Sequence, residues 1–239
     1  MTSVPPEVSP GAKAEADAVR ERYARRPQAD PRYHPLDPAA MLARQERERL
    51  LRPWLTAALA RGAGRAIEIG CGDGGGLLDL IRWGFDPAQL AGIELLEGRH
   101  ALARARLPAA VTLWQGDATQ LDPGAAAWDL VFVSTVFSSL LDDAFQQTLA
   151  AAMWRWLRPG GAVVWYDFAV DNPRNADVRG VPVRRLRTLF PQGRFEIRRV
   201  TLAPPLARGL CRVHPGLASL ANTVPLLRTH RLAWIAKTA

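Results

Sequence analysis

The sequence is poor in the residues that tie a chain to several common protein classes. Its 239 residues hold only two cysteines, Cys71 and Cys211, and neither has metal-ligand spacing. A disulfide framework and a cysteine-bound metal are thereby excluded, and a reduced, cytoplasmic setting is expected. No apolar run approaches the ~18 residues of a membrane helix, so no membrane span is expected. The first ten residues carry no basic stretch followed by an apolar one, so no secretory signal is expected either. Lysine is almost missing: of 31 basic residues only Lys13 and Lys237 are lysine. The net charge of +8 and pI near 10.6 therefore have two readings. One is an anionic partner such as nucleic acid. The other is the arginine and alanine bias of a GC-rich genome, displayed on solvated faces, since the arginines are spread out apart from loose groups at 20–32 and 184–199.

What is present is enough apolar material, 48% of the chain, for one sizeable α/β domain. The first eleven residues are proline-rich and read as disordered. A very polar helix is expected over 12–25, then an irregular stretch with Pro27, Pro31, Pro35 and Pro38. Asp37 caps a helix that Pro38 opens, with a second piece starting at Pro53 and glycine stops at Gly62 and Gly64. Strand and helix then alternate. Strands are expected at 66–69, 90–95, 111–114, 128–134 and 162–167, with helices at 75–82, 98–106 and about 141–157. The run Trp-Asp-Leu-Val-Phe-Val-Ser at 128–134 has the continuous burial of a central parallel strand. Two further strands fit at 195–202 and 230–236, with apolar helical pieces near 206–210 and 217–227. Such an order requires a mostly parallel sheet with helices on both faces.

The chemistry concentrates at Glu68-Ile-Gly-Cys-Gly-Asp-Gly, where a strand passes through a glycine turn into a helix. Glycines let the backbone approach a ligand closely, and the turn lies at the carboxyl end of a parallel strand, where open α/β sheets bind ligands. Taken alone, Gly70-x-Gly72-x-x-Gly75 also fits a dinucleotide fingerprint. Glu68, within the strand, suits an ammonium group better than a pyrophosphate. Asp117, after the third strand, can accept from an exocyclic adenine amine. Glu94 stands 22 residues (94 − 72) beyond Gly72, near the ~20 expected of a ribose-binding acid.

Glu68-x-Gly70-x-Gly72-x-Gly74, Gly92-Ile-Glu94, Gly116-Asp117-Ala118, Asp129-Leu-Val-Phe-Val133 and Leu157-Arg-Pro-Gly-Gly161, in that order, resemble the motif set of class I S-adenosylmethionine-dependent methyltransferases. The resemblance covers about residues 64–168. It implies a Rossmann-like, doubly wound, mostly parallel sheet of about seven strands, the last antiparallel. Residues 1–60 would be a leader and helical extension and residues 61–239 the methyltransferase domain. It implies S-adenosyl-L-methionine as cofactor. Gly70, Cys71, Gly72 and Gly74 would line its methionine by backbone, with Glu68 nearby. Glu94 and Leu95 would meet the ribose and adenosine, Asp117 and Ala118 the adenine, and Ser134 and Thr135 would sit beside the donor. Cys71 reads as a small loop residue rather than a nucleophile.

Tyr23-x-x-Arg26, Arg32-Tyr33, Gln45-Glu-Arg-Glu-Arg49, Trp165-Tyr-Asp-Phe168 and Asp171-Asn-Pro-Arg-Asn175 are more narrowly similar to small methyltransferases associated with bacterial surface-polysaccharide biosynthesis. That similarity implies a small or carbohydrate-like acceptor, methylated at oxygen. Trp165 or Phe168 would be a sugar platform, unless Trp165 is core and Asn-Pro only a turn. Glu46 and Arg47 would close over the cofactor carboxylate, unless Glu46 and Arg49 form a surface pair. Asp167 is the first candidate for a general base, with His214 and His230 more remote. A nicotinamide-dependent oxidoreductase, a nucleic-acid methyltransferase and a non-catalytic scaffold are the rival readings.

Overall fold

The computed structural model describes residues 10–25, 31–172 and 175–238. The disorder expected over the first eleven residues lies outside them except at Pro10 and Gly11, which are helical instead; part of the proline-rich stretch and Pro173-Arg174 also lie outside. Two helices precede the sheet, α1 (Pro10–Ala24) and α2 (Pro38–Ala60). Then follow β1 (Ala66–Ile69), α3 (Gly75–Arg82), β2 (Leu90–Glu94), α4 (Glu97–Arg106), β3 (Thr112–Gln115), β4 (Trp128–Ser134), α5 (Asp143–Trp156) and β5 (Leu157–Phe168). The chain ends with α6 (Val183–Leu189), β6 (Arg194–Leu202), α7 (Pro204–Val213), α8 (Pro215–Ala221) and β7 (Arg228–Ala236).

The seven strands form one sheet in the order β3-β2-β1-β4-β5-β7-β6, and only β7 runs against the others. The fold is therefore Rossmann-like and mostly parallel. Strand order reverses between β1 and β4, which leaves a crevice above their carboxyl ends, the usual ligand position in such sheets. Alternation along the strands divides the core in two. Ile67, Ile69, Val131 and Val133 pack on one face against Phe145, Leu149 and Met153 of α5 and Leu186 and Leu189 of α6. Ala66, Leu130 and Val164 pack on the other against Leu51, Trp54 and Leu55 of α2 and Leu77 and Leu80 of α3.

Local signals explain most boundaries. Asp37 accepts a hydrogen bond from Ala40 N at 2.9 Å and Asp142 from Phe145 N at 2.6 Å, capping α2 and α5. Three elements differ from expectation. Pro53 does not divide α2: it is exposed, and burial of Leu51, Trp54 and Leu55 outweighs the helix bond it removes. Pro159-Gly160-Gly161 is not a loop but the start of β5. Gly160, at φ +79°, donates to Lys237 O at 2.9 Å, and Lys237 N donates to Gly161 O at 2.8 Å, zipping the segment onto the end of β7. Helix α6 was not foreseen; its two buried leucines are set among arginines.

Candidate active site

The glycine turn after β1 rises through left-handed backbone at Gly70 (φ +65°) and Gly72 (φ +59°). A Cβ on Gly70 would lie 2.6 Å from Val136 Cγ2, so the turn approaches the β4 loop closer than any side chain would allow. Gly72 has nothing within 4 Å of the corresponding point and faces open space. Beside the turn is a cavity of about 140 Å³. Gly70, Glu94, Leu95, Asp117, Ala118, Ser134 and Thr135 all line it, so strand ends far apart in sequence converge as the motif order implied.

The two carboxylates there are pre-set. Glu94, buried, accepts from Gly72 N at 2.8 Å through Oε2 and from Leu96 N at 2.8 Å through Oε1. Each oxygen keeps a second lone pair, enough to receive a pair of adjacent hydroxyls. Asp117 takes both Thr119 N (2.8 Å) and Thr119 Oγ1 (2.9 Å) on Oδ1, which leaves Oδ2 for the cavity. Thr135 holds φ +54°, a costly conformation for a β-branched residue, fixed by its N donating to Tyr166 O at 2.8 Å and its hydroxyl to Ser134 O at 2.8 Å.

A second cavity of about 310 Å³ opens on the α2 side of the sheet and shares Ser134 with the first. Glu68 is turned into this one, not the first. Burial lifts its carboxyl from 4.5 to about 8; Arg47 pulls it down, while Asp79, Glu94 and Asp73 push it up. The carboxyl needs Gly76, because a Cβ there would stand 2.4 Å from Oε1. Arg47 lines the same cavity, its guanidinium 4.4 Å from the centroid of the Tyr166 ring. Tyr166 in turn stacks on His230 at 5.0 Å and 10°.

Several expected residues are placed elsewhere. Gly72, Gly74 and Cys71 line neither cavity; the Cys71 thiol turns into the core towards Gly92, and burial pushes it far above the usual thiol range. Asp167 lines neither of these two cavities. Its Oδ2 accepts from Ser138 N at 3.0 Å and its Oδ1 from Phe168 N at 2.8 Å, so it fastens the turn after β4. Burial raises it to about 6 against those hydrogen bonds. His230 is buried, which holds it neutral with a pKa of about 3, and His214 caps α8 by accepting from Gly216 N at 3.0 Å. Trp165 is core, 1% exposed between Phe137 and Phe190. Asn175 accepts from Asp177 N, two residues on, which is turn chemistry, and Asp171 accepts from Gly180 N, nine residues on. Asp129 lies at the opposite end of β4, where it receives Gly64 N and Arg65 N.

Glu46 is no surface partner of Arg49. It is 6% exposed and accepts from Thr201 N at 2.8 Å, tying α2 to β6. Glu46→Ala would leave that donor unpaired, and we expect a loss of about 2–3 kcal/mol, seen as a fall in melting temperature of roughly 5–10 °C.

The wall of the first cavity also includes Val19 and Tyr23 of α1 and Arg99 of α4, whose guanidinium lies 4.8 Å from the Tyr23 ring centroid. α1 docks partly through Ala16, Val19 and Tyr23, which fall on one face of the helix and pack on the core, and partly through polar contacts. Arg22 donates to Ser139 O at 3.0 Å, and Glu15 accepts from Leu141 N at 2.7 Å.

Residues 66–161 match a protein family described as a methyltransferase domain. No curated protein sequence matches the chain significantly. Among solved structures, a SAM-dependent methyltransferase from Archaeoglobus fulgidus superposes with a TM-score of 0.59 at 15% identity, over 81% of this chain and 94% of that one. An S-adenosylmethionine-dependent methyltransferase from Mesorhizobium loti gives 0.55 at 18% identity, over 78% and 97%. Phosphoethanolamine N-methyltransferase 2 of Haemonchus contortus, solved with S-adenosyl-L-methionine, gives 0.56 at 18% identity, over 74% of this chain and 49% of that one. The protein thus carries a methyltransferase domain at residues 66–161, within the fold of S-adenosylmethionine-dependent methyltransferases.

Proposed function

We propose that the protein methylates an oxygen of a small, carbohydrate-like acceptor, with S-adenosyl-L-methionine as donor. One observation carries the donor side: Glu94 and Asp117, from neighbouring strand ends, face a single cleft with free acceptor lone pairs beside an unobstructed glycine turn. In this assignment Glu94 holds the ribose, Asp117 and Ala118 the adenine edge, and Gly70 and Gly72 the methionine. Leu95, Ser134 and Thr135 complete the wall. The cofactor supplies an electrophilic methyl on a sulfonium. Held there, it would give that carbon to the acceptor oxygen, with the C–S pair returning to sulfur and the hydroxyl proton passing to solvent. The chain's task is alignment. We further propose residues 61–239 as the catalytic domain and α1 and α2 as its cover.

A small acceptor is favoured over a nucleic acid by the fate of the arginines. Arg104, Arg199 and Arg228 spend their guanidinium groups on backbone carbonyls, and Arg185 on Gln146 and Asp143. The structural neighbours do not favour an oxidoreductase either. The test is a thermal-shift comparison of S-adenosylhomocysteine with NAD. Saturating S-adenosylhomocysteine should raise the melting temperature by several degrees and NAD should leave it unmoved; the reverse result would overturn the donor assignment.

A further inference from the structure

The second cavity is the larger, and α2, outside the matched methyltransferase residues, supplies Arg44, Arg47, Glu48 and Leu51 to its wall. Its charges do not cancel. Arg82 holds Glu48 at 2.6 Å and Asp79 at 3.2 Å, and Arg44 lies 3.9 Å from Glu48. Arg47 has no ion pair among the described residues, and its buried Nε lacks a hydrogen-bond partner. Glu68, 8% exposed, leaves Oε2 without a partner as well. Near neutral pH burial keeps Glu68 largely protonated, so it does not offset the guanidinium. Arg44, Glu48 and Asp79 also line the space but are paired among themselves or with Arg82, which leaves facing it a guanidinium outside any ion pair, one carboxyl able to donate or accept, and an apolar floor of Phe132, Val164 and Leu232. Buried polar atoms without partners cost free energy unless a ligand or water meets them. A guanidinium braced on an aromatic ring suits the two oxygens of a carboxylate or phosphate.

We infer that this cavity is the acceptor site and that it takes a small hydroxylated anion, its carboxylate or phosphate on Arg47 and a hydroxyl on Glu68. Ser134, common to both cavities, marks where that hydroxyl would meet the donor. The inference rests on the donor assignment above and narrows the acceptor to acidic members of the carbohydrate-like class.

The experiment is calorimetric titration of glucuronate, glucose 6-phosphate and glucose into the full chain, with and without bound S-adenosylhomocysteine. At least one of the two anions should bind tenfold or more tightly than glucose, and whichever is stronger identifies the anionic group. Arg47→Gln should remove the preference and change S-adenosylhomocysteine affinity less than about threefold; Arg47→Lys, which keeps the charge without the fork, should retain part of it. Equal treatment of all three sugars, or no binding of any, overturns the inference. So does an Arg47→Gln protein that loses S-adenosylhomocysteine affinity tenfold and keeps its anion preference, because Arg47 would then serve the donor. Should wild-type protein bind no S-adenosylhomocysteine, the donor assignment fails instead, while the anion preference is still read in its absence.

Discussion

Glu94→Ala is expected to weaken S-adenosylhomocysteine binding by about 100-fold, because it removes two hydrogen bonds to a charged group at ~1.5 kcal/mol or more each. The effect has two physical parts. The carboxylate would no longer meet the ribose hydroxyls, and Gly72 N and Leu96 N, which it now receives at 2.8 Å each, would lose their acceptor. The second part loosens the turn on which the methionine rests. Glu94→Gln separates the two, since it keeps the shape but sets an amide nitrogen against one of those N–H groups. Isothermal titration of both variants reads the difference, with the glutamine variant expected to fall between wild type and alanine. Undiminished affinity in Glu94→Ala would remove the ribose assignment.

The second large effect concerns pH. Glu68 has its folded pKa raised from 4.5 to about 8, first by burial. A raised acid binds more protons folded than unfolded, so stability falls as pH climbs through the interval from 4.5 to about 8. Below that interval the group costs nothing. Above it the cost is on the order of 4 kcal/mol. Asp167, raised from 3.8 to about 6, acts in the same sense over a lower window. Glu68→Gln should therefore melt several degrees above wild type at pH 8.5 and within a degree or so of it at pH 4.5. Melting curves across that range decide it; a variant that melts lower at pH 8.5 would show that the charged form is welcome in the fold.

The parallel core was legible because burial on both faces writes continuous apolar strands, and β1, α3 and β4 fall where the pattern placed them. The convergence of Gly70, Glu94, Asp117 and Ser134 on one cavity was legible because these residues sit at strand ends in a fixed order. Three things were hidden. Asp167 resembled a base by position, yet whether a strand-end carboxylate faces a cavity or a neighbouring turn depends on the β4 loop. Glu46 stood in a charge-rich helix, and its partner Thr201 lies 155 residues away. Tyr23 joined the cleft through a helix whose short apolar face (Ala16, Val19, Tyr23) is diluted by charged residues and whose polar partners Ser139 and Leu141 are remote in sequence.

The wall of the larger cavity has a lasting implication. Arg44, Arg47, Glu48 and Leu51 come from a helix that precedes the glycine turn, while the rest of the wall comes from the sheet and α3 with its cap. With that cavity as the acceptor site, drift in this one helix would retune what is methylated while leaving Glu94 and Asp117 in place. Descendants of this chain could diversify in substrate by exchanging a single helix, and grafts between such enzymes should break cleanly at the Gly62–Gly64 joint.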